Sequence, residues 1–390
     1  MPALSPKNAP ALVRFFCSLE LTIACLVFGM LLIFFGTLAQ VHLGIHQVQD
    51  QFFHSWLAWW SPEDGSWRVP ILPGGYLIGG FLLINLIAAF IYRFELTQKR
   101  FGLLISHFGL ILLLLGELFT ALYQRDSGMW LAEGDTKSYA ESMRDLELAI
   151  VDRTDPATDK VLAIQEADLA KDRMIQHPSL PFRIVVRDYY PNSEVFPRGP
   201  QTAGLNAPLA TVGEGATLTA RELPRTGKPN ETDHTVAWVE LIGAGGSLGT
   251  WMVDINAGGP ETFTYEGRTF SIGLRQRRYY EPFSITLLDF SHDRYPGTDI
   301  ARNFSSKVRL RDPSRHEDRE ALIYMNHPLR YGGLTFYQAS YRGEDTTMLQ
   351  VVQNPSRLLP YIACVMVFAG LTIQFGFHLS HFLARRKKTS

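Results

Sequence analysis

The hydrophobic positions of this chain gather into four blocks, Leu21 to Val41, Ile71 to Tyr92, Phe101 to Leu122 and Leu358 to Ala384. Each holds about 20 residues or more. At 1.5 Å per residue each is long enough as a helix to cross the roughly 30 Å hydrocarbon core of a bilayer. The first block is too long for a cleavable signal peptide, lacks a small-residue cleavage site and is followed at once by two more spans. Between the third and fourth blocks the pattern changes to a period of two. Leu146, Leu148 and Ile150, then Phe182, Ile184 and Val186, then Phe283, Ile285 and Leu287 alternate as half-buried strands do. Asp155-Pro156, Pro296-Gly297, Asp312-Pro313 and Gly332-Gly333 mark turns between such runs. The stretch from Phe196 to Asn230, rich in Gly, Pro, Ala and Thr, predicts a long connection dividing this region into two strand-rich halves.

The pattern therefore predicts an integral membrane protein: four transmembrane α-helices plus a large β-rich extracytoplasmic domain inserted between helices 3 and 4. Residues 1–20 form an N-terminal segment and 21–122 the first three helices, with a short exported loop at 42–70. Residues 123–357 form the β-rich domain, and 358–390 the last helix and a basic tail. Lys and Arg in the short flanks orient the spans. Lys7 and Arg14 precede the first, Arg93, Lys99 and Arg100 join the second to the third, and Arg385, Arg386, Lys387 and Lys388 follow the fourth. All lie on one side, which predicts cytoplasmic termini and a large domain in the periplasm or its equivalent, with the chain in the inner (cytoplasmic) membrane.

Composition changes this picture little. A mean hydropathy near zero averages apolar spans with a polar domain. The three cysteines, Cys17, Cys25 and Cys364, lie in or beside the spans. The exported region therefore has no disulfide, no CxxC redox pair, no CxxCH haem attachment and no Cys-ligated zinc. A net charge of −1 without a basic stripe argues against nucleic acid. HExxH, GxSxG, P-loop and GxGxxG motifs are absent, so hydrolase, nucleotide-driven pump and dehydrogenase readings lose their usual support.

Candidate chemistry centres on His107 in FGLLISHFGLILLLLGELFTAL, because an ionisable imidazole inside an apolar span is costly unless it has a role. A proton relay, a packing residue and a haem or metal ligand are the alternatives. Gly102, Gly109 and Gly116 recur every seven residues with Ser106 beside them, a small-residue face for close helix packing, and His107 points roughly opposite. It lies about 9 Å from the start of its span. His378 lies at comparable depth in the fourth span, with His381 one turn further out. His42 and His46 share a face if the first helix continues, at a spacing that suits a metal or porphyrin iron, although two boundary histidines are more often interfacial. His177, His234, His292, His316 and His327 form no ligand pattern. Glu117, near the far end of the third span, is a functional candidate as an intramembrane carboxylate, set against the simpler reading that it reaches headgroup water. In QVQDQFFHSWLAWW, Phe53, Trp56, Leu57 and Trp60 share a helical face and predict an amphipathic helix at the membrane surface. Arg275, Arg277, Arg278, Tyr279 and Tyr280 are a candidate docking cluster, set against the commoner reading of a solvated strand.

The tracts GTLAQVHLGIHQVQDQFFHSWLAWW, PGGYLIGGFLLINLIAA and SHFGLILLLLGELFTALYQRDSGMWLAEGD resemble the ResB-type cytochrome c biogenesis proteins. So do PFSITLLDFSHDRYPGTDIARNFSSKVRL and MNHPLRYGGLTFYQASY, and the likeness runs nearly end to end. It implies a subunit of System II cytochrome c maturation that, with a CcsA-type partner, carries haem b as non-covalent cargo across the membrane. The complex would present it to the CxxCH thiols of apocytochrome c, with thiol-reducing proteins as further partners. No catalytic centre is evident in this chain itself. By that resemblance His107, in the SHFGL tract, supplies one axial ligand to haem iron, with His378, His42 and His46 as weaker candidates. Haem propionates would need cations, for which Arg14, Arg93, Lys99 and Arg100 are candidates. The partner's tryptophan-rich motif is not found; Trp59-Trp60-Ser61-Pro62 is not that motif. The alternatives are a scaffold that chaperones apocytochrome c or stabilises the partner without binding haem, and a transporter of another substrate.

Overall fold

A computed structural model describes residues 10–60, 62, 67–93, 97–226, 232–294, 297 and 301–389. Lys7 and Pro296 lie outside the described residues, as do the side chains of His46, Arg93, Lys387 and Lys388. The chain divides into a helical unit, Met1–Gln124 with Asn354–Ser390, and a β unit, Arg125–Thr226 with Glu231–Gln353.

In the helical unit, α1 (Ala11–Phe16) turns at Cys17 into α2 (Leu19–Leu43). The Ser18 hydroxyl accepts the Leu21 amide at 3.1 Å, capping α2. Gly44, at φ 78°, ends that helix, and a single turn, α3 (Ile45–Val48), runs into a π-turn over Gln49–Phe53. Next come a hairpin of β1 (Leu57–Trp60) and β2 (Val69–Pro73), α4 (Gly75–Arg93) and α5 (Phe101–Tyr123). The chain closes with α6 (Leu359–Thr389). Leu19–Leu43, Gly75–Tyr92, Phe101–Tyr123 and Leu359–Arg386 are long and apolar enough to cross a membrane.

Two expectations are corrected here. The aromatic tract is not one amphipathic helix, because Leu57 pairs with Pro73 and Trp60 with Val69 across an antiparallel ladder. Aromatic side chains fit a pleated strand as readily as a helix, and the partner strand decides between them. Trp56, Trp59, Trp60 and Trp67 stay exposed, while Phe52 and Ala58 bury against Leu32 and Val48. For the same reason Ile71 belongs to a strand, and the second span begins at Gly75. A Cβ on Gly75 would lie 2.3 Å from the Phe53 carbonyl oxygen, so the helix starts where the backbone must be bare.

Asn85, buried in α4, ties the start of the bundle together. Its amide donates to the carbonyls of Phe16 (2.7 Å) and Ser18 (2.9 Å), and its oxygen accepts the Thr22 hydroxyl at 2.7 Å. In an apolar span such a group persists because each polar atom is satisfied.

The strands of the β unit are, in chain order, β3 (Arg125–Ala132), β4 (Thr136–Asp152), β5 (Lys160–Gln165), β6 (Met174–Ile175), β7 (Arg183–Tyr190), β8 (Ser193–Pro197), β9 (Leu218–Glu222), β10 (Val236–Gly243), β11 (Gly246–Asp254), β12 (Glu261–Tyr265), β13 (Arg268–Arg294), β14 (Ala301–Asp312), β15 (Glu317–Tyr324), β16 (Leu329–Tyr331), β17 (Leu334–Arg342) and β18 (Thr346–Gln353). The largest sheet runs β15-β14-β13-β4-β3-β18-β17-β16, with β5 against β4 and β12 against β13; a second sheet runs β11-β10-β7-β6. Strands form at all three predicted runs, and Leu146, Leu148, Ile150, Phe182, Ile184, Val186, Phe283, Ile285 and Leu287 are buried, but only Phe283 to Leu287 alternates, because Glu147, Ala149 and Val185 are buried as well.

Two large cores result, beside a smaller one around Trp238, and β4 and β13 run through both large ones. Ile285, Leu287, Val308, Leu310, Phe336 and Leu349 fill one. Leu148, Ile150, Ile184, Val239, Phe270 and Ile272 fill the other. Pairing of β13 with β4 slips between Gln276 and Arg278 and again between Tyr280 and Ile285. The second slip contains Pro282, which has no amide to give the ladder. The Phe196 to Asn230 stretch, expected to separate two halves, does not. The strands flanking it, β7 and β10, are direct neighbours (Tyr190 opposite Val236, Arg183 opposite Ile242). The stretch leaves and rejoins one sheet, carries β9, which pairs with β8, and buries Ala210 and Ala220 against Trp238.

Asp152, at the end of β4, accepts the Thr154 hydroxyl and the Arg268 guanidinium, which together lower its pKa to about 2. A carboxyl held below its ordinary 3.8 stabilises the fold above that pH, and the contribution is lost as pH falls through about 2. Asp152→Asn is therefore expected to flatten the acid limb of β-unit stability between about pH 4 and pH 2, read by circular dichroism across an acid titration. In the helical unit, Asn85→Leu strands the Phe16 carbonyl and leaves the Ser18 carbonyl and the Thr22 hydroxyl with only their mutual 3.4 Å contact among side-chain partners. It should cost about 1–3 kcal/mol per unsatisfied group, seen as a lower melting temperature in detergent, with Thr22→Val costing less.

Candidate functional site

The seven-residue glycine repeat of α5 makes a seam with α6. Gly102, Ser106, Gly109 and Gly116 are buried on one face. A Cβ on Gly102 would stand 2.5 Å from the Gly370 oxygen, and one on Gly109 2.8 Å from Val367 and 3.0 Å from the Ala363 oxygen. From the other side, a Cβ on Gly370 would fall 2.6 Å from the Gly102 oxygen. Two backbones meet with little between them, the arrangement small residues permit in an apolar medium. Sequence spacing predicted this face, and the structure supplies its partner.

The start of α5 has a polar clamp that the sequence reading missed. The first amides of a helix have no intrahelical acceptor, and the N-cap Arg100 does not cap them with its side chain. Gln374 of α6 fills the gap. Its oxygen accepts the Leu103 amide at 3.2 Å, and its Nε2 donates to the Lys99 carbonyl at 3.2 Å. The same Nε2 lies 2.9 Å from His378 Nε2. The signal was a lone glutamine inside the apolar run of the last span.

His107 lies half-buried one turn into α5, with Nδ1 2.9 Å from the Leu103 carbonyl oxygen. A carbonyl only accepts, so Nδ1 carries a proton, and in the neutral ring the lone pair is then on Nε2. This is the second-sphere bond that metal-binding histidines use to fix tautomer and ring angle. Leu103 thus links the imidazole to the seam, its amide held by Gln374 and its carbonyl by His107. At 100° per residue His107 is turned roughly 140° from the glycine face.

The other sequence candidates are placed as follows. His378 is exposed on α6 in an open apolar groove lined by Phe368, Leu371, Phe375, Leu379 and Phe382. Its Nε2 lone pair accepts the Gln374 amide, so an iron there would have to displace that bond. His381 packs its ring on Phe377, centroids 4.5 Å apart. His42 and His46 do not share one continuous helix, because Gly44 at positive φ breaks the chain between them. His42 is exposed in the last turn of α2. Glu117, Arg14, Lys99 and Arg100 are exposed. The arginine cluster of β13 is not a solvated strand face: Arg275 pairs with Glu147 at 2.8 Å and Arg278 with Glu141 at 3.0 Å, both acids largely covered.

Placed against known proteins, residues 241–348 match the ResB-like family. Over that region the resemblance read from the sequence is borne out. NrfI of Wolinella succinogenes is 40% identical over 91 residues, 23% of this chain and 10% of that protein. The cytochrome c biogenesis protein CcsB of Synechococcus sp. (strain WH7803) is 36% identical over 100 residues, 26% of this chain and 22% of that protein. CcsB of Prochlorococcus marinus (strain MIT 9313) is 33% identical over 100 residues, again 26% and 22%. The matched region thus spans a tenth to about a fifth of these relatives' length.

Gly109→Leu should push α5 from α6 and destabilise the helical unit by about 1–3 kcal/mol. Gly79→Leu, where a Cβ meets nothing within 4 Å, should be neutral. Melting temperatures of the two variants in one detergent check the contrast; equal values would rule out the seam.

Proposed function

We propose that this chain is a membrane subunit of cytochrome c maturation that takes haem as cargo, His107 Nε2 providing one axial ligand to the iron. The observation that carries this reading is the His107–Leu103 bond, which puts the lone pair on Nε2 of a ring facing away from the α5–α6 seam. The names of the matched relatives support the pathway. The basic flanks support cytoplasmic termini, a β unit in the periplasm between spans three and four, and residence in the inner membrane.

On this reading the bundle does three things. The apolar surface beside α5 accepts the porphyrin face, the neutral imidazole holds the iron, and Arg14, Lys99 and Arg100 answer the propionates. A second axial ligand comes from a CcsA-type partner. Two imidazoles leave iron no open position for oxygen, which suits carriage. The complex then presents haem to the CxxCH thiols of apocytochrome c, thiol-reducing proteins keeping those thiols available.

The test is spectroscopic. In the complex purified with its partner, His107→Gly should lose or shift the Soret and α-bands of the reduced haem, and added imidazole should restore them. Unchanged bands in His107→Gly would replace the ligand role with a scaffold that binds no haem itself.

A further inference from the structure

Away from the helices, the β unit holds a cavity that the reading above does not use. Near its C-terminal end β4 is buried on both faces. Leu148 and Ile150 enter a core, whereas Ala149 and Val151, with Gly273 of β13, floor a cavity of about 330 Å³. The segment between β11 and β12 covers it; a Cβ on Gly273 would meet Pro260 at 3.1 Å. The volume is at the low end of the roughly 300–1,000 Å³ that small-molecule sites occupy.

The charges around this floor are unequally satisfied. Arg153, Arg275 and Arg278 line the cavity together with Asp254 and Glu261. Both acids are engaged: Asp254 takes His234 Nε2 at 2.6 Å and the Asn256 amide at 2.7 Å, and Glu261 takes the Glu214 amide at 3.2 Å. Arg275 donates through Nε to Glu147, but its Nη2 is buried with no acceptor. Arg278 donates through Nε to Glu141 and lies over the Tyr139 ring at 4.3 Å. A guanidinium has five donors in a planar fork matched to a carboxylate. Orphaned nitrogen on Arg275, in a cavity whose own acids already have donors, calls for an anionic group from outside. The alkyl floor calls for an apolar stem attached to it.

We propose that this cavity binds a carboxylate on a short aliphatic stem, the carboxylate between Arg275 and Arg278 and the stem over Ala149, Val151 and Gly273. A free short-chain acid and the propionate arm of a porphyrin share this chemistry. The site does not depend on the role of His107.

The test uses the full chain in an uncharged maltoside detergent with hexanoate as probe, followed by saturation-transfer NMR. Hexanoate should receive saturation and hexanol should not. Arg275→Gln/Glu147→Gln neutralises both members of the pair and should weaken hexanoate by at least about tenfold, since a charge-assisted bond is lost. Ala257→Phe, at an exposed position on the rim, should exclude hexanoate without touching the pair, and circular dichroism confirms that both variants keep their strands. Displacement of hexanoate by a metal-free porphyrin dicarboxylate assigns the propionate source; its retention assigns a free acid. Equal saturation of hexanol, or hexanoate binding unchanged in Ala257→Phe and in the double variant, would overturn the proposal.

Discussion

Close approach of α5 to α6 is the constraint on which the helical unit depends. Water drives soluble helices together, but in hydrocarbon an apolar side chain gains nothing by leaving lipid for a neighbour, so association rests on packing and polar contacts. Gly102, Gly109 and Gly370 remove the side chains that would hold two backbones apart, and Gln374 adds bonds at one end. At the other end Asn354 donates to Thr120 and to Gln124, and the Ser356 hydroxyl meets Thr120 at 2.9 Å. The seam is therefore packed in the middle and hydrogen-bonded at both ends. In the chain it brackets the whole β unit, whose first and last strands pair with each other, Arg125 opposite Gln353. An insertion whose ends meet in this way can grow or change without altering the span before it or the span after it.

The β unit solves a different problem. Two cores of comparable size would behave as two domains if only a flexible linker joined them, but β4 and β13 are continuous through both. Sharing strands couples the cores through backbone hydrogen bonds, and the ladder pays for the change of direction with slips at Gln276/Arg278 and Tyr280/Ile285. Bulges of this kind bend a strand and re-aim its side chains. That is how Arg275 and Arg278, an odd and an even position, come to line the same cavity.

What could be read from the sequence divides along physical lines. Local periodicity survived: the glycine repeat, the alternation at Phe283 to Leu287, and the four apolar spans are properties of one segment each, whereas Leu146 to Ile150 is buried on both faces because a second layer covers it. Features that depend on a distant partner did not. Trp56 to Trp60 has aromatics dense enough to fit a helix or a strand, and only pairing with Val69–Pro73 selects the strand. The return of β10 to β7 lies across a connection whose composition gives no hint of it. Gln374 and Asn85 were passed over because a single polar residue hardly alters the hydropathy of its span, although each makes three polar contacts in the bundle. Gly44 was legible in principle, since glycine after a helical run is a stop signal, and attention to it would have separated His42 from His46.

If His107 ligates haem as proposed, the Leu103 bond bears on how the cargo is both held and released. An imidazole that rotates freely must be ordered on each encounter, and a ring whose tautomer can exchange presents its lone pair only part of the time. With Nδ1 committed to a helical carbonyl, both costs are met during folding, so binding cargo need not supply them. Preorganisation of one ligand would strengthen such an iron bond, and by itself that would hinder transfer onward. If the second ligand belongs to another subunit, holding and release need not be decided by this chain alone. Affinity is then high while the subunits converge on iron and falls when either withdraws. A single well-oriented histidine is in that sense better suited to a carrier than a complete pair would be, because a closed bis-histidine cage within one rigid bundle has no part that can move to let its cargo go.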